Sequence, residues 1–190
     1  NTPEVLLWGD SFAMHLYQGI NASTDAIKLR QITSSSCSPI IGISLIKFSA
    51  NKGNKWAERC IDFNNNAFKW LESNKSVQFV VLSSPFDWIG SEDFITEDGR
   101  IHNPDIEFIL SKFKQTVEMI NNLGVGVVVV SPTPRSGRNI GNCLVKKYQY
   151  RTSVDCDFNY SETPNQLYGS RKANGLYFYR GVKLAANQLA

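Results

Sequence analysis

Near its start the chain carries an apolar run followed by a glycine and two polar residues, Val5-Leu6-Leu7-Trp8-Gly9-Asp10-Ser11-Phe12. Such a run is typical of a strand buried on both faces, and the glycine after it lets the backbone turn sharply. The order predicts a strand over residues 4–8 and a helix over residues 13–20. Ser11 is therefore expected at the carboxyl end of the first strand, where open α/β sheets bind their ligands.

A serine in this position suits two roles. As a nucleophile it would have its own amide near the start of a helix, where an unpaired N–H and the helix dipole favour a developing negative charge. As a cap, Asp10 and Ser11 would only satisfy the first amides of that helix. The tripeptide Gly9-Asp10-Ser11 alone favours the cap, so the choice depends on the rest of the chain.

Composition limits the domain count and the partners. The chain has 190 residues, of which 42% are hydrophobic and 12% aromatic, so a single domain over residues 1–190 with one core is expected. The net charge of +3 comes from 20 basic and 17 acidic residues with interspersed signs, which gives no argument for nucleic acid or an anionic membrane. No run of about twenty apolar residues and no signal-peptide pattern occurs, so the chain is expected to be soluble.

The four cysteines, at positions 37, 60, 143 and 156, favour disulfides over metal. Structural zinc sites usually pair ligands about two to four residues apart, and no such pair occurs here. Of three connectivities we favour Cys37–Cys60 with Cys143–Cys156, because each bond closes a loop rather than crossing the core. Each would contribute roughly 3 kcal/mol of stability and would imply an oxidising compartment. The alternative is four reduced, buried cysteines in a cytosolic domain.

Strand-like runs alternate with amphipathic stretches along the chain. Strands are predicted at 27–32, 79–82 and 125–130, and helices at 56–71 and 105–123, the latter started by Asn103-Pro104-Asp105 and stopped by Gly124. This order predicts an α/β fold, a three-layer αβα sandwich with a central parallel sheet, because right-handed crossovers place helices on both faces.

The remaining segments are less regular. Residues 83–104 are expected to form a long loop, and beyond Pro132 no periodicity returns until a predicted last helix over 166–189. No strand is expected after that helix. The sheet is therefore expected to lack its last strand, as in a domain truncated at its C-terminus.

Seven short segments between residues 4 and 158 form a pattern. They read Leu6-Leu7-Trp8-Gly9-Asp10-Ser11-Phe12-Ala13-Met14-His15-Leu16, Ser36-Cys37-Ser38-Pro39, Arg59-Cys60-Ile61-Asp62-Phe63-Asn64, Val80-Val81-Leu82-Ser83-Ser84, Ser131-Pro132-Thr133-Pro134, Ile140-Gly141-Asn142-Cys143-Leu144 and Asp155-Cys156-Asp157-Phe158. In order and spacing they resemble the SGNH (GDSL-type) hydrolase superfamily. More narrowly, they resemble the periplasmic SGNH domains fused to membrane acyltransferase-3 proteins that O-acetylate cell-surface polysaccharides. The resemblance implies an SGNH, flavodoxin-like fold.

The resemblance also implies a serine-centred acyl transfer. Ser11 would form an acyl-enzyme that passes its acyl group to a sugar hydroxyl or to water, and Asp10 beside it is the second predicted catalytic residue. The Ser11 amide and Gly42 would donate to the oxyanion. The family carries an Asn after the third strand, where this chain has Ser84 and then Trp88, and both are expected to bind the oxyanion or the substrate. No metal and no cofactor is expected.

The Asp-x-x-His motif of the family is absent from the 190 residues. Its His deprotonates the serine and its Asp orients the His. Either it lies beyond the end of a truncated domain, which we favour, or residues 179–184 are a degenerate copy with Arg180 and Lys183 in its place. His15 matches a family position that is not the base, and His102 is expected to be an exposed loop residue. On either account little or no activity is expected of these residues alone.

Together these observations predict an O-acetyltransferase domain that acts on a cell-surface polysaccharide such as an O-antigen. Its partners would be an acyl donor, a glycan substrate and a membrane acyltransferase domain in the same full-length chain, without nucleic acid. The location would be periplasmic or extracellular, tethered to a membrane. The alternatives are a free carbohydrate esterase and a non-catalytic glycan-binding module that kept the fold.

Overall fold

The computed structural model describes residues 2–23, 27–46, 53–86, 89, 92–130 and 139–157, and the backbone of 182–184. In chain order the elements are β1 (Val5–Gly9), α1 (Ser11–Ser23), β2 (Leu29–Thr33), β3 (Ile43–Leu45), α2 (Gly53–Ser73), β4 (Phe79–Ser83), β5 (Phe94–Thr96), β6 (Ile101–His102), α3 (Ile106–Asn121), β7 (Gly126–Val130), α4 (Ile140–Leu144), a π-helical turn (Val145–Gln149) and β8 (Val182–Leu184).

The main sheet is parallel over four of its strands. Its order is β2-β1-β4-β7-β8, and only β8 runs antiparallel to its neighbour. Gly9 is in register with Ser83, and Ser83 with Val130, so the parallel strands end at one edge of the sheet. The predicted α/β fold with a central parallel sheet is confirmed.

Two expectations for the end of the chain are wrong. A fifth strand is present in the sheet, and residues 182–184 do not belong to the helix predicted over 166–189. These three residues form β8, in which Lys183 lies opposite Val129. The rest of that predicted helix lies outside the described residues. β8 therefore fills a fifth position in the sheet, antiparallel to β7.

Strand alternation divides the core between two faces of the sheet. Leu6, Trp8, Val80, Leu82 and Val127 belong to one buried cluster, which also holds residues of α2 and α3. Leu7 points to the opposite face, and α1 packs against β1, β2 and β4. The three layers predicted from the sequence are thereby present. None of the described helices is both long and apolar enough to cross a membrane.

A second, antiparallel sheet of order β3-β5-β6 lies outside the main sheet. The sequence predicted a loop where β5 and β6 lie, and it gave no strand at β3. These strands have only three, three and two residues. Such short segments carry no measurable periodicity, which explains the missed strands.

The two disulfides pair as predicted, Cys37 with Cys60 and Cys143 with Cys156. The first joins the loop after β2 to helix α2, and the second closes the segment that contains α4 and the π-helical turn. The predicted start and stop of α3 are also confirmed. Asp105 accepts a hydrogen bond from the Phe108 N–H at 3.0 Å, and Gly124 adopts a left-handed φ of 77° just beyond the helix.

Candidate functional site

The turn between β1 and α1 is built around a close backbone approach at Gly9. A Cβ on this residue would lie 1.9 Å from the carbonyl oxygen of Ser83 on β4. The neighbouring Asp10 N–H donates to that same oxygen at 3.4 Å, and the Ser34 N–H donates to the Gly9 carbonyl at 3.0 Å. The ends of three adjacent strands are therefore joined at the point where Ser11 leaves the sheet.

Asp10 caps helix α1 from a buried position. Its Oδ1 accepts a hydrogen bond from the Phe12 N–H at 2.8 Å. The capping role predicted for this residue is thus present, and its catalytic role stays a prediction.

Ser11 is the first residue of α1 and is partly exposed. Within the described part of the chain, no residue accepts a hydrogen bond from the Ser11 N–H or exchanges one with its hydroxyl. An amide at this helix position is free to donate to a ligand, because the first N–H groups of a helix have no partner within it. The geometry is suitable for both a nucleophile and one oxyanion donor.

A chain of hydroxyl groups leads from the loop after β2 to the Asp10 carboxylate. The Ser84 hydroxyl donates to Asp10 Oδ2 at 2.8 Å, and it lies 2.8 Å from the Ser38 hydroxyl. A serine hydroxyl has one proton, so Ser38 must donate to Ser84 once Ser84 donates to Asp10. All three side chains are buried. The hydroxyl chain (Ser38, Ser84 and Asp10) therefore ties two loops to the cap of α1.

Asn64 on α2 fixes the backbone that carries Ser38. Its Nδ2 donates to the carbonyls of Ser38 at 2.8 Å and Ile40 at 3.2 Å, and its Oδ1 accepts from Trp8 Nε1 at 2.9 Å. Cys60 lies four residues earlier on the same helix, so the disulfide to Cys37 and the amide of Asn64 hold the same loop from one helix face.

The structure brings together three of the five predicted site residues, Ser11, Asp10 and Ser84. Gly42 lies at the start of β3 in a left-handed conformation with a φ of 80°, and its carbonyl accepts from the Glu97 N–H at 3.2 Å. Trp88 lies outside the described residues, as does the predicted site segment 131–134. The Ser84 hydroxyl donates its hydrogen bond to Asp10. The oxyanion roles of Ser84 and Gly42 stay predictions.

Two residues of this arrangement, Ser38 and Asn64, had no role in the sequence-based prediction of the site. Ser38 and Asn64 belong to the two motifs that contain Cys37 and Cys60, and each lies within four residues of one of these disulfide-bonded cysteines. Their closeness in sequence to two cysteines that form one disulfide is the signal from which their proximity in space could have been predicted. Trp8 is fully buried, and a buried indole N–H usually needs an acceptor.

Within the described residues, neither of the two histidines forms a hydrogen bond with Ser11. His15 is exposed on α1, where its ring centroid lies 6.4 Å from that of Phe12. His102 is not the exposed loop residue that the sequence predicted, because it lies half-buried in β6 and stacks on Phe94 and Phe108. Nε2 of His102 lies 3.3 Å from the Thr96 hydroxyl. Among the residues described, no group of three or more His, Cys, Asp or Glu side chains is placed to hold a metal ion.

Ser84→Ala is expected to lower the free energy of unfolding by about 2 kcal/mol, because the buried Asp10 carboxylate loses one donor and the hydrogen bond between the Ser38 and Ser84 hydroxyls is removed. Urea unfolding with a fixed m-value measures the change. Ser44→Ala is the matched control, since Ser44 is also buried but bonds only the carbonyl of its neighbour Leu45 at 3.3 Å. Equal losses in the two variants would contradict the hydroxyl chain.

Comparison with known proteins identifies the family. A family model described as the SGNH domain fused to AT3 domains matches residues 1–183. Among solved structures, the periplasmic domain of a lipopolysaccharide acetyltransferase from Salmonella ser. Paratyphi A matches with a TM-score of 0.57 at 16% sequence identity. The match covers 87% of this chain and 58% of that one, and at this identity it supports the fold alone. No match was found among curated proteins. The chain belongs to the family of SGNH domains that are fused to AT3 domains.

Proposed function

We propose that this chain is the acyl-transfer domain of an O-acetyltransferase that modifies a cell-surface polysaccharide, with Ser11 as its nucleophile. The observation that carries the proposal is the position of Ser11 at the first turn of α1, where the residue is partly exposed and its amide has no partner within the helix. Membership of a family fused to AT3 domains supports acyl transfer over the other reactions that this fold hosts.

The reaction divides into two steps at Ser11. In the first, the Ser11 oxygen attacks the carbonyl carbon of an acyl donor, the donor's leaving group departs with a proton, and an acyl-serine forms. In the second, a sugar hydroxyl attacks the carbonyl carbon of the acyl-serine, the bond from that carbon to the Ser11 oxygen breaks, and the proton of the sugar hydroxyl passes to the Ser11 oxygen. The Ser11 N–H would stabilise the oxyanion in both steps. Asp10 acts as a positioning residue, because its carboxylate holds the first turn of α1 in place.

A serine needs a base to react near neutral pH, and neither histidine of this chain forms a hydrogen bond with Ser11 within the described residues. We propose that the base is a histidine of an Asp-x-x-His motif encoded beyond Ala190. The chain covers only 58% of the solved acetyltransferase domain, which is in keeping with a longer natural protein.

The two disulfides support a periplasmic or extracellular location, where such bonds persist. In the proposed assembly, the AT3 domain of the full-length chain tethers the SGNH domain to the membrane and supplies acyl groups to Ser11. The acceptor would be a hydroxyl of a surface glycan.

The proposal is tested on the protein read from the parent open reading frame past Ala190. We expect Ser11→Ala in that longer protein to reduce O-acetyl transfer to surface polysaccharide by at least about a thousandfold, as loss of a catalytic nucleophile does. O-acetyl content is measured by proton NMR of purified polysaccharide. Ser73→Ala is the control, because this serine is exposed at the end of α2, and it should leave transfer unchanged.

Two results separate the alternatives. Release of acetate to water without transfer to glycan would identify a carbohydrate esterase. Glycan binding that is unchanged in the Ser11→Ala protein, with no Asp-x-x-His encoded downstream, would identify a non-catalytic glycan-binding module. The 190 residues alone should not hydrolyse an activated acetyl ester in a Ser11-dependent manner.

A further inference from the structure

Residues 139–157 form a small unit of their own, here called the disulfide lobe. The lobe contains α4 and the π-helical turn, and the Cys143–Cys156 bond joins its two ends. Its backbone hydrogen bonds include Cys143 N–H to the Asn139 carbonyl and Thr152 N–H to the Lys146 carbonyl, both at 3.1 Å. The disulfide and these hydrogen bonds give the lobe a defined conformation.

The disulfide lobe exposes apolar and aromatic side chains to an unusual extent. Tyr148 is 72% exposed and Tyr150 68%, while Leu144 and Val145 are 40% and 43% exposed. Of the 19 lobe residues only Cys156 is buried. Four large exposed side chains fall within seven consecutive positions, and exposed apolar area gains free energy when it is covered.

The cations of the disulfide lobe lie in the same stretch. Lys146, Lys147 and Arg151 fall within the segment that carries the two tyrosines, and the lobe's acidic residues, Asp155 and Asp157, follow it. Lys147 Nζ lies 5.9 Å from the ring centroid of Tyr148. Although the net charge of the whole chain is small, residues 146–151 therefore combine three basic side chains with two tyrosines.

We propose that the disulfide lobe binds the surface of a membrane that contains anionic lipids. Lysine and arginine attract the anionic headgroups, and tyrosines prefer the interface between headgroups and acyl chains. Leu144 and Val145 decide against an acidic glycan, because exposed aliphatic side chains gain from contact with acyl chains and gain little from a hydrated polysaccharide. The proposal goes beyond acyl transfer and concerns where the domain is held.

The test is sedimentation of the 190-residue protein with vesicles, without any acyl donor. We expect binding to vesicles of phosphatidylcholine mixed with phosphatidylglycerol, and much weaker binding to phosphatidylcholine alone. Lys146→Glu with Lys147→Glu is expected to lower the partition coefficient by at least about thirtyfold, which corresponds to two lysine contacts with an anionic surface. Tyr148→Ser with Tyr150→Ser is expected to lower binding without changing its dependence on salt, because these side chains contribute no charge.

The matched control is Lys69→Glu with Lys75→Glu, which makes the same change in net charge at exposed positions outside the lobe. It should bind nearly as wild type, and circular dichroism confirms that all variants are folded. The proposal is overturned if the lobe and control variants lose binding equally, or if wild type does not distinguish the two vesicle types. Lobe-dependent binding to soluble dextran sulfate but not to vesicles would also overturn it. None of these outcomes depends on Ser11, so the result is separate from that for acyl transfer.

Discussion

Gly9→Ala is expected to lower the free energy of unfolding by more than about 4 kcal/mol, which is in the range reserved for severe steric or core defects. The added Cβ would lie 1.9 Å from the Ser83 carbonyl oxygen, whereas real Cβ atoms essentially never approach a neighbour within 3.0 Å. The Ser83 oxygen belongs to the backbone, so it cannot move away by a change of rotamer as a side-chain atom could. Relief would require β1 and β4 to separate where the Asp10 N–H bonds to the same oxygen. Urea unfolding, or the soluble yield if the variant does not fold, measures the effect.

Gly19→Ala provides the matched control for this prediction. Gly19 lies in α1, and no atom lies within 4 Å of the position its Cβ would take. Alanine there is expected to raise the free energy of unfolding by up to about 1 kcal/mol, because glycine is a poor helix former. A Gly9→Ala protein that unfolds within about 1 kcal/mol of wild type would show that the strand ends are not as closely packed as described.

The sequence predicted the elements that have strong periodicity and missed those that are too short to have any. The four parallel strands and the three long helices were expected within a few residues, because each has an apolar pattern or a recognisable cap. Residues 94–96 and 101–102 have neither, and their pairing depends on contacts with each other. Residues 182–184 were assigned to a helix, although they pair with the apolar strand β7. In these segments the structure is determined by pairing with another strand and not by the local sequence pattern.

The candidate site likewise contains residues that a local sequence pattern predicted and residues that it could not predict. Ser11 and Asp10 follow from a local pattern, since a strand, a glycine and a cap are all contiguous. The contact of Trp8 with Asn64 spans 56 positions, and that of Ser84 with Asp10 spans 74. No local pattern encodes such contacts. The disulfide prediction brought residues 37 and 60 together, and the step to their neighbours Ser38 and Asn64 needed the three-dimensional arrangement.

Asn64→Leu is expected to lower the free energy of unfolding by about 4 kcal/mol. Leucine fills a similar volume but offers no hydrogen bond, so the Trp8 indole N–H and the Ile40 carbonyl lose the Asn64 side chain as a partner in a buried environment. The Ser38 carbonyl loses one of two donors and keeps the Ile40 N–H at 2.8 Å. Each buried group left without a partner costs about 1–3 kcal/mol. Urea unfolding at constant m-value gives the change, and Asn66→Ala, at an exposed position of the same helix, should remain within about 0.5 kcal/mol of wild type.

A double-mutant cycle with Trp8→Phe distinguishes the hydrogen bond from general packing. Phenylalanine removes the indole N–H, so part of the loss in Asn64→Leu is already present in the Trp8→Phe protein. The double variant should therefore be more stable than the sum of the two single losses predicts, by about 1 kcal/mol. Exact additivity would show that Asn64 does not act through Trp8. In that case the hydrogen bonds from Asn64 to the carbonyls of Ser38 and Ile40 would account for the effect. Asn64 would then not connect the loop after β2 to strand β1, which leads to Ser11.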